Sequence, residues 1–420
     1  MKVKNLLLAG LAVAAMTACS NDEIVENGVQ PTEKNASMQF GISLPQSTTR
    51  AGSGDGIIDG NKEEGIAKEN AFADITVVID YATSRDVMTF QFADFEKSEG
   101  SNSQMLYLKE SIPVTAGTAT VSAFVNASAA LKADLKAKIT ALNALKVTSN
   151  YTNSLDNLED AGGIAQANKF LMSGSEADQI FAAGVPTSVT VPVDRVAAKL
   201  VERSKTSAFD IEKSALVTDA TLAITLDEYN FVNLLQDTYT LKNTTAIESN
   251  LFNAYNSAAD ATWGTYTAAA KTITGPTAAD VTANITYCTE NKTATTTNVL
   301  YKATAKWNGA EVASTFYVTP DKKVYLTFTE LAAVYNVEGL TDNSSIADFA
   351  AKGIKKYDGG VCYYKSNAIE TITRNNVYYL NVKSIADLGD PTPGDTPNPA
   401  TINLTVAVNP WTINVVEIEL

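Results

Sequence analysis

The chain has 420 residues, more than one hydrophobic core usually serves, so two domains are expected, with three possible, and 45% hydrophobic and 19% charged residues argue against wholesale disorder. A formal net charge of -15 repels phosphate backbones and anionic headgroups, which argues against a nucleic-acid partner. Histidine is absent, which removes Ser-His-Asp and Cys-His catalysis and imidazole-ligated zinc; carboxylate-only chemistry survives this filter, whereas most enzyme mechanisms at neutral pH do not.

In chain order, Lys2 and Lys4 precede an apolar stretch from Leu6 to Met16, too short to span a bilayer, and then Thr17-Ala18-Cys19. Small residues before a cysteine at that place resemble the lipobox of bacterial lipoproteins, with cleavage before Cys19 and acylation of its sulfur. Asp22 and Glu23 directly after it resemble a signal for export to the outer face. Residues 20–36 read as a polar tether. Met38, Phe40, Ile42 and Leu44 then alternate with Gln39, Gly41 and Ser43, the pattern of a half-buried strand closed by Pro45. Residues 46–65, rich in Ser, Thr, Gly and Asp, read as an exposed loop open to proteolysis, with Arg50-Ala51 inside it.

Strand-like runs rich in β-branched and aromatic residues follow at 75–81, 120–125, 189–193, 221–226, 299–307, 314–318, 323–329 and 377–382, and their turn chemistry favours antiparallel sandwiches. Within 323–329, Val324, Leu326 and Phe328 alternate as in a strand. One helix interrupts the pattern: Leu131, Leu135, Ile139, Leu142 and Leu145 step at helical spacing. Cys288 and Cys362 are far apart and belong to no CxxC pair, so a disulfide is permitted but not required. Gly52, Gly54 and Gly56 lack the Lys-Ser/Thr of a phosphate loop. Asp55, Asp59, Glu63 and Glu64 fit no EF-hand, so no cofactor or metal is assigned.

Four prolines between residues 390 and 399 favour an extended spacer. After it, Ile402, Leu404, Val406 and Val408 alternate with Asn403, Thr405 and Ala407. Pro410-Trp411 interrupts, and Ile413 and Val415 resume in the other parity before Val416, Ile418 and Leu420. Burying four such side chains is worth roughly 6–12 kcal/mol before ordering costs, so this strand must complete a sheet, its own or a neighbour's. Both ends of the chain thus offer four apolar side chains at period two, and one is followed by a cleavable loop. Cutting after Arg50 would free the first strand and leave a groove for the tail of another copy, and a head-to-tail contact that does not close builds a fibre.

Several motifs resemble one family. Val191-Pro192-Val193-Asp194-Arg195-Val196-Ala197-Ala198-Lys199, Tyr357-Asp358-Gly359-Gly360-Val361-Cys362-Tyr363-Tyr364, Arg374-Asn375-Asn376-Val377-Tyr378, Ile385-Ala386-Asp387-Leu388-Gly389 and the tail from Val408 are similar to the type V fimbrilins of anaerobic Gram-negative bacteria, in particular to the structural subunit of minor (short) fimbriae. The resemblance implies an all-β protein of two transthyretin-like sandwiches in tandem with a C-terminal donor strand. It divides the chain into a signal peptide (1–18), a lipidated propeptide with a removable first strand (19–50), sandwiches at 51–212 and 213–389, a linker (390–400) and a donor strand (401–420). It implies no enzyme and no cofactor. The implied partners are identical subunits, anchor and tip accessory subunits, an arginine-specific protease and a transient outer-membrane lipid anchor, on a surface fimbrium serving adhesion. The motifs around Arg195 and Arg374 read as structural. Two rival functions are an accessory or tip subunit and a monomeric glycan-binding lipoprotein using Trp263, Tyr266 and Trp307.

Overall fold

A computed structural model describes residues 33–44, 63–97, 105–137, 141–149, 164–166, 168–202, 204, 207–211, 221–245, 247, 251–252, 285–393 and 402–412. The protein is all-β, and among the described residues its four larger sheets form two pairs, each pair closed over its own core.

In the first sandwich one sheet runs Pro186–Pro192, Ala36–Ser43, Met105–Leu108 and Phe95–Lys97, with Ile112–Val114 also paired to Ala36–Ser43. The facing sheet runs Asp194–Arg195, Met172–Phe181, Gly117–Val125, Asp74–Tyr81 and Arg85–Gln91. Alternation explains the layering: Met38, Phe40 and Ile42 from one sheet meet Ile75, Val77 and Ile79 from the other in a single buried cluster.

The second sandwich pairs Ile285–Cys288, Ala198–Glu202, Asn376–Ile385, Ile402–Thr412 and Glu63–Glu64 in one sheet against Ala208–Ile211, Leu222–Val232, Asn298–Trp307 and Val361–Lys365 in the other. The chain therefore enters the second sandwich at Ala198, ahead of residue 213. The strand at Ala198–Glu202 is buried along its whole length, which is why it reads as continuous rather than alternating. Residues 316–357 add a small body beside this sandwich, where Tyr317, Leu331, Phe349 and Ile354 form a separate cluster.

Two expected elements differ. The helix covers only Ala129–Lys136, where Ser128 accepts from the Leu131 N–H at 3.1 Å and Leu131 and Leu135 face the core. Leu142 opens a 3₁₀ turn and Leu145 is extended, yet both are buried, so the same apolar spacing is served by another backbone. The run 323–329 is a strand only at Val324–Tyr325. From Phe328 a helix runs to Val334. Thr327 accepts from the Glu330 N–H at 3.2 Å while Glu330 accepts from the Thr327 N–H at 3.2 Å. This Thr-x-x-Glu capping box outweighs the β-propensity of Val324, Leu326 and Phe328.

Candidate functional site

The leading strand, Ala36–Ser43, lies inside its sheet. It pairs in parallel with Pro186–Pro192, Phe40 opposite Val189, and antiparallel with Met105–Leu108 and Ile112–Val114 on its other side. Met38, Phe40 and Ile42 are 0% exposed and Leu44 2%. The Phe40 ring meets Phe95 edge to face at 6.3 Å, and the Gln39 amide donates to the Leu108 carbonyl at 2.7 Å. Gly41 sits under the Tyr107 ring: a Cβ there would lie 2.7 Å from Tyr107 Cδ1, so only glycine lets the ring lie across the strand. Nothing but residues 45–62 joins this strand covalently to the rest of the body.

The tail strand, Ile402–Thr412, runs antiparallel to Asn376–Ile385, with a register shift between Val382 and Ser384. Its outer side pairs with Glu63–Glu64 at Trp411 and Thr412. Ile402 is buried in the second core, against which Leu404, Val406 and Val408 are half-buried, whereas Trp411 is buried in the first core. Of the donor residues read from the sequence, these five therefore complete a sheet of their own chain. Ile413 and Val415 lie outside the described residues, as do Cys19, Arg50, Ala51, Asp55, Asp59, Trp263 and Tyr266.

Trp411 is surrounded by charge. Its indole N–H donates to Glu69 Oε2 at 3.2 Å, and its carbonyl accepts from Arg195 Nη1 at 3.1 Å. The Arg195 guanidinium lies 4.3 Å from the ring centroid, and Tyr287 stacks on the ring at 5.8 Å and 16°. Lys199 Nζ approaches Glu69 Oε1 at 2.9 Å with both side chains 0% exposed, and the Tyr287 hydroxyl donates to the same oxygen. Arg195 also donates to Asn70 Oδ1 and, at 3.4 Å, to Asn375 Oδ1. Burial pulls the Arg195 guanidinium down to about 10, against the opposing pull of Glu69, and pushes the Tyr287 phenol well up. Glu69 is held by the short helix Ala67–Asn70, whose first turn its own carboxylate caps through the Ile66 N–H at 2.9 Å. The residues of this cluster come from both sandwiches.

Arg374 makes a second buried junction. It donates to Glu290 Oε1 at 2.6 Å and to the Tyr239 carbonyl at 2.7 Å. Burial raises the Glu290 carboxyl, but Arg374 and Lys292 outweigh it and hold it below its ordinary range. Both arginines singled out by sequence are thus buried and bonded within the chain. Sequence reasoning missed Glu69, Lys199 and Tyr287. The signal available was Lys199 inside the apolar run 196–201, which demands a buried counter-charge.

Cys288 and Cys362 are buried and unpaired, so the permitted disulfide is not formed. Trp307 is buried against Phe316, ring to ring at 5.6 Å, which withdraws it from any glycan surface. Among the described residues no group of three or more Cys, Asp or Glu is placed to hold a metal.

Two β-sandwiches in tandem, stapled by a C-terminal strand that ends in the first core, define the class. The chain is similar to several solved structures. A candidate cell adhesion protein from Parabacteroides distasonis ATCC 8503 superposes with a TM-score of 0.51 at 13% identity, covering 90% of this chain and 100% of that one. A candidate cell adhesion protein from Bacteroides eggerthii DSM 20697 gives 0.49 at 15% identity, over 92% and 99%. A fimbrilin from Porphyromonas gingivalis W83 gives 0.47 at 12%, over 92% and 100%. No curated protein matches the chain. Residues 355–417 match the family described as "Major fimbrial subunit protein type IV, Fimbrillin, C-terminal". Over this C-terminal part the chain is similar to the fimbrillins, a family of fimbrial subunits.

Proposed function

We propose that this chain is a polymerising structural subunit of a surface fimbria, assembled by protease-triggered strand exchange. The observation that carries the reading is the leading strand: its apolar face is buried inside a sheet, and the segment that follows it in sequence holds Arg50-Ala51. Cutting there and losing the strand leaves Pro186–Pro192 unpaired on one side and withdraws Met38, Phe40, Ile42 and Leu44 from the core. Four such side chains represent roughly 6–12 kcal/mol of burial, so the vacated groove is driven to take a replacement strand. Residues 413–420, where Val416, Ile418 and Leu420 alternate with Glu417 and Glu419, supply one from the next copy.

In this reading Cys19 carries a lipid that anchors the precursor transiently at the outer membrane, and an arginine-specific protease removes residues up to Arg50. Anchor and tip accessory subunits bound the homopolymer, which serves adhesion. The test is truncation after Thr412, which spares Trp411, followed by arginine-specific proteolysis and an unheated denaturing gel. Full-length protein is expected to form ladders and the truncated protein to stay monomeric. Ladders from the truncated protein would refute strand exchange.

A further inference from the structure

The tail strand has its two ends in two different cores: Ile402 in the second and Trp411 in the first. A segment built only to be donated would shed that burial on assembly. We propose instead that residues 402–412 are a fixed root, that donation begins beyond Thr412, and that tension entering through the donated segment passes at Trp411 directly into the first sandwich. This rests on the strand-exchange reading.

The geometry suits an anchor. Nine residue pairs join the root to Asn376–Ile385 and hold it in its own sheet. At the end where the pull arrives, Trp411 is held through every group it offers. Its backbone N–H donates to the Asn375 carbonyl at 3.1 Å and its carbonyl accepts from Arg195 at 3.1 Å. Its ring lies against Arg195 and Tyr287, and its indole N–H is bound by Glu69. Phe170, a first-core residue, closes on the ring edge to face at 5.7 Å. Gly65 completes the fit: a Cβ there would lie 2.4 Å from Asn70 Oδ1, 2.7 Å from Arg195 Nη2 and 3.0 Å from Trp411 Nε1.

The leading strand belongs to the same first sandwich. A donated strand taking its place and a root anchored at Trp411 therefore load one sandwich between them. The second sandwich, with its additional body at 316–357, lies beside that route and is spared the strain.

Two measurements test this on the full chain. Asn381 and Thr405 are opposite each other in the root pairing, so an Asn381→Cys/Thr405→Cys disulfide locks the root to its own body. After proteolysis, ladders from oxidised and reduced protein alike are expected. Ladders only after reduction would show that the root leaves its sheet, overturning the anchor while strand exchange stands. Ladders in neither state would remove strand exchange itself and the anchor with it. In the second measurement, single molecules are pulled between a Thr187→Cys handle and the C-terminus. Trp411→Ala is expected to shorten the lifetime of the closed root by about 100-fold or more, exposing the second sandwich to force. An unchanged lifetime would overturn the proposal.

Discussion

The carboxylate of Glu69 lies at the centre of the junction, and substituting it should cost more than removing the lysine that pairs with it. Lys199 Nζ lies 2.9 Å from Glu69 Oε1 with both side chains fully buried. Arg195, also fully buried, lies over the same tryptophan whose indole Glu69 binds. In Glu69→Gln two buried cations lose their common counter-charge, the situation in which breaking a buried pair costs about 3–5 kcal/mol. In Lys199→Met the carboxylate keeps the Tyr287 hydroxyl, the Trp411 indole and the Ile66 N–H. Arg195 still balances its charge, and the loss is about 2 kcal/mol, below that of a buried charge left with no partner at all. For a sandwich of this size about 1 kcal/mol moves the melting temperature by roughly 2–4 °C, so Glu69→Gln should lower it by roughly 10 °C and Lys199→Met by about half as much. Differential scanning calorimetry on the intact chain measures both. A Lys199→Met loss equal to or larger than that of Glu69→Gln would refute the view that one carboxylate holds two cations.

Three further outcomes follow from the same structure. Gly65→Ala should destabilise by about 1–3 kcal/mol, because the added methyl meets Asn70, Arg195 and Trp411 together; an unchanged denaturation midpoint would contradict the packing. Glu202 is raised to about 7 by burial, against the hydrogen bonds from Ser204 and Tyr301. Its folded pKa lies above the unfolded value, so its contribution is full below about 4.5 and is lost as pH rises through 7. Glu202→Gln should therefore gain on the parent by about 3 kcal/mol between pH 4.5 and 7, and parallel stability curves would exclude this. Burial pushes the Cys288 thiol well up and the Cys362 thiol up to about 12, so neither should react with a maleimide until the chain unfolds. Rapid labelling of either in the native protein, followed by mass spectrometry, would show the cores to be open.

Much of the fold was legible in local pattern. The alternation of Met38, Phe40, Ile42 and Leu44 marks a strand with one buried face, and it is one. Where a second local signal competes, alternation misleads: Val324, Leu326 and Phe328 read as a strand, but Thr327 and Glu330 cap a helix across them. Helical spacing from Leu131 to Leu145 predicted which of the described leucines are buried without predicting the backbone that buries them.

What the sequence by itself determined is chemistry and local period: no histidine, an acidic chain, β-rich segments, and two apolar strands near its ends. Only the tertiary structure decided where those strands go. Whether Ile402 to Trp411 would complete its own sheet or a neighbour's depends on partners hundreds of residues away in sequence: Glu69, Arg195, Lys199 and Tyr287, each set on a different element. A period-two pattern states that a face must be buried. It does not carry the address of the surface that buries it, because that surface exists only once both sandwiches have formed.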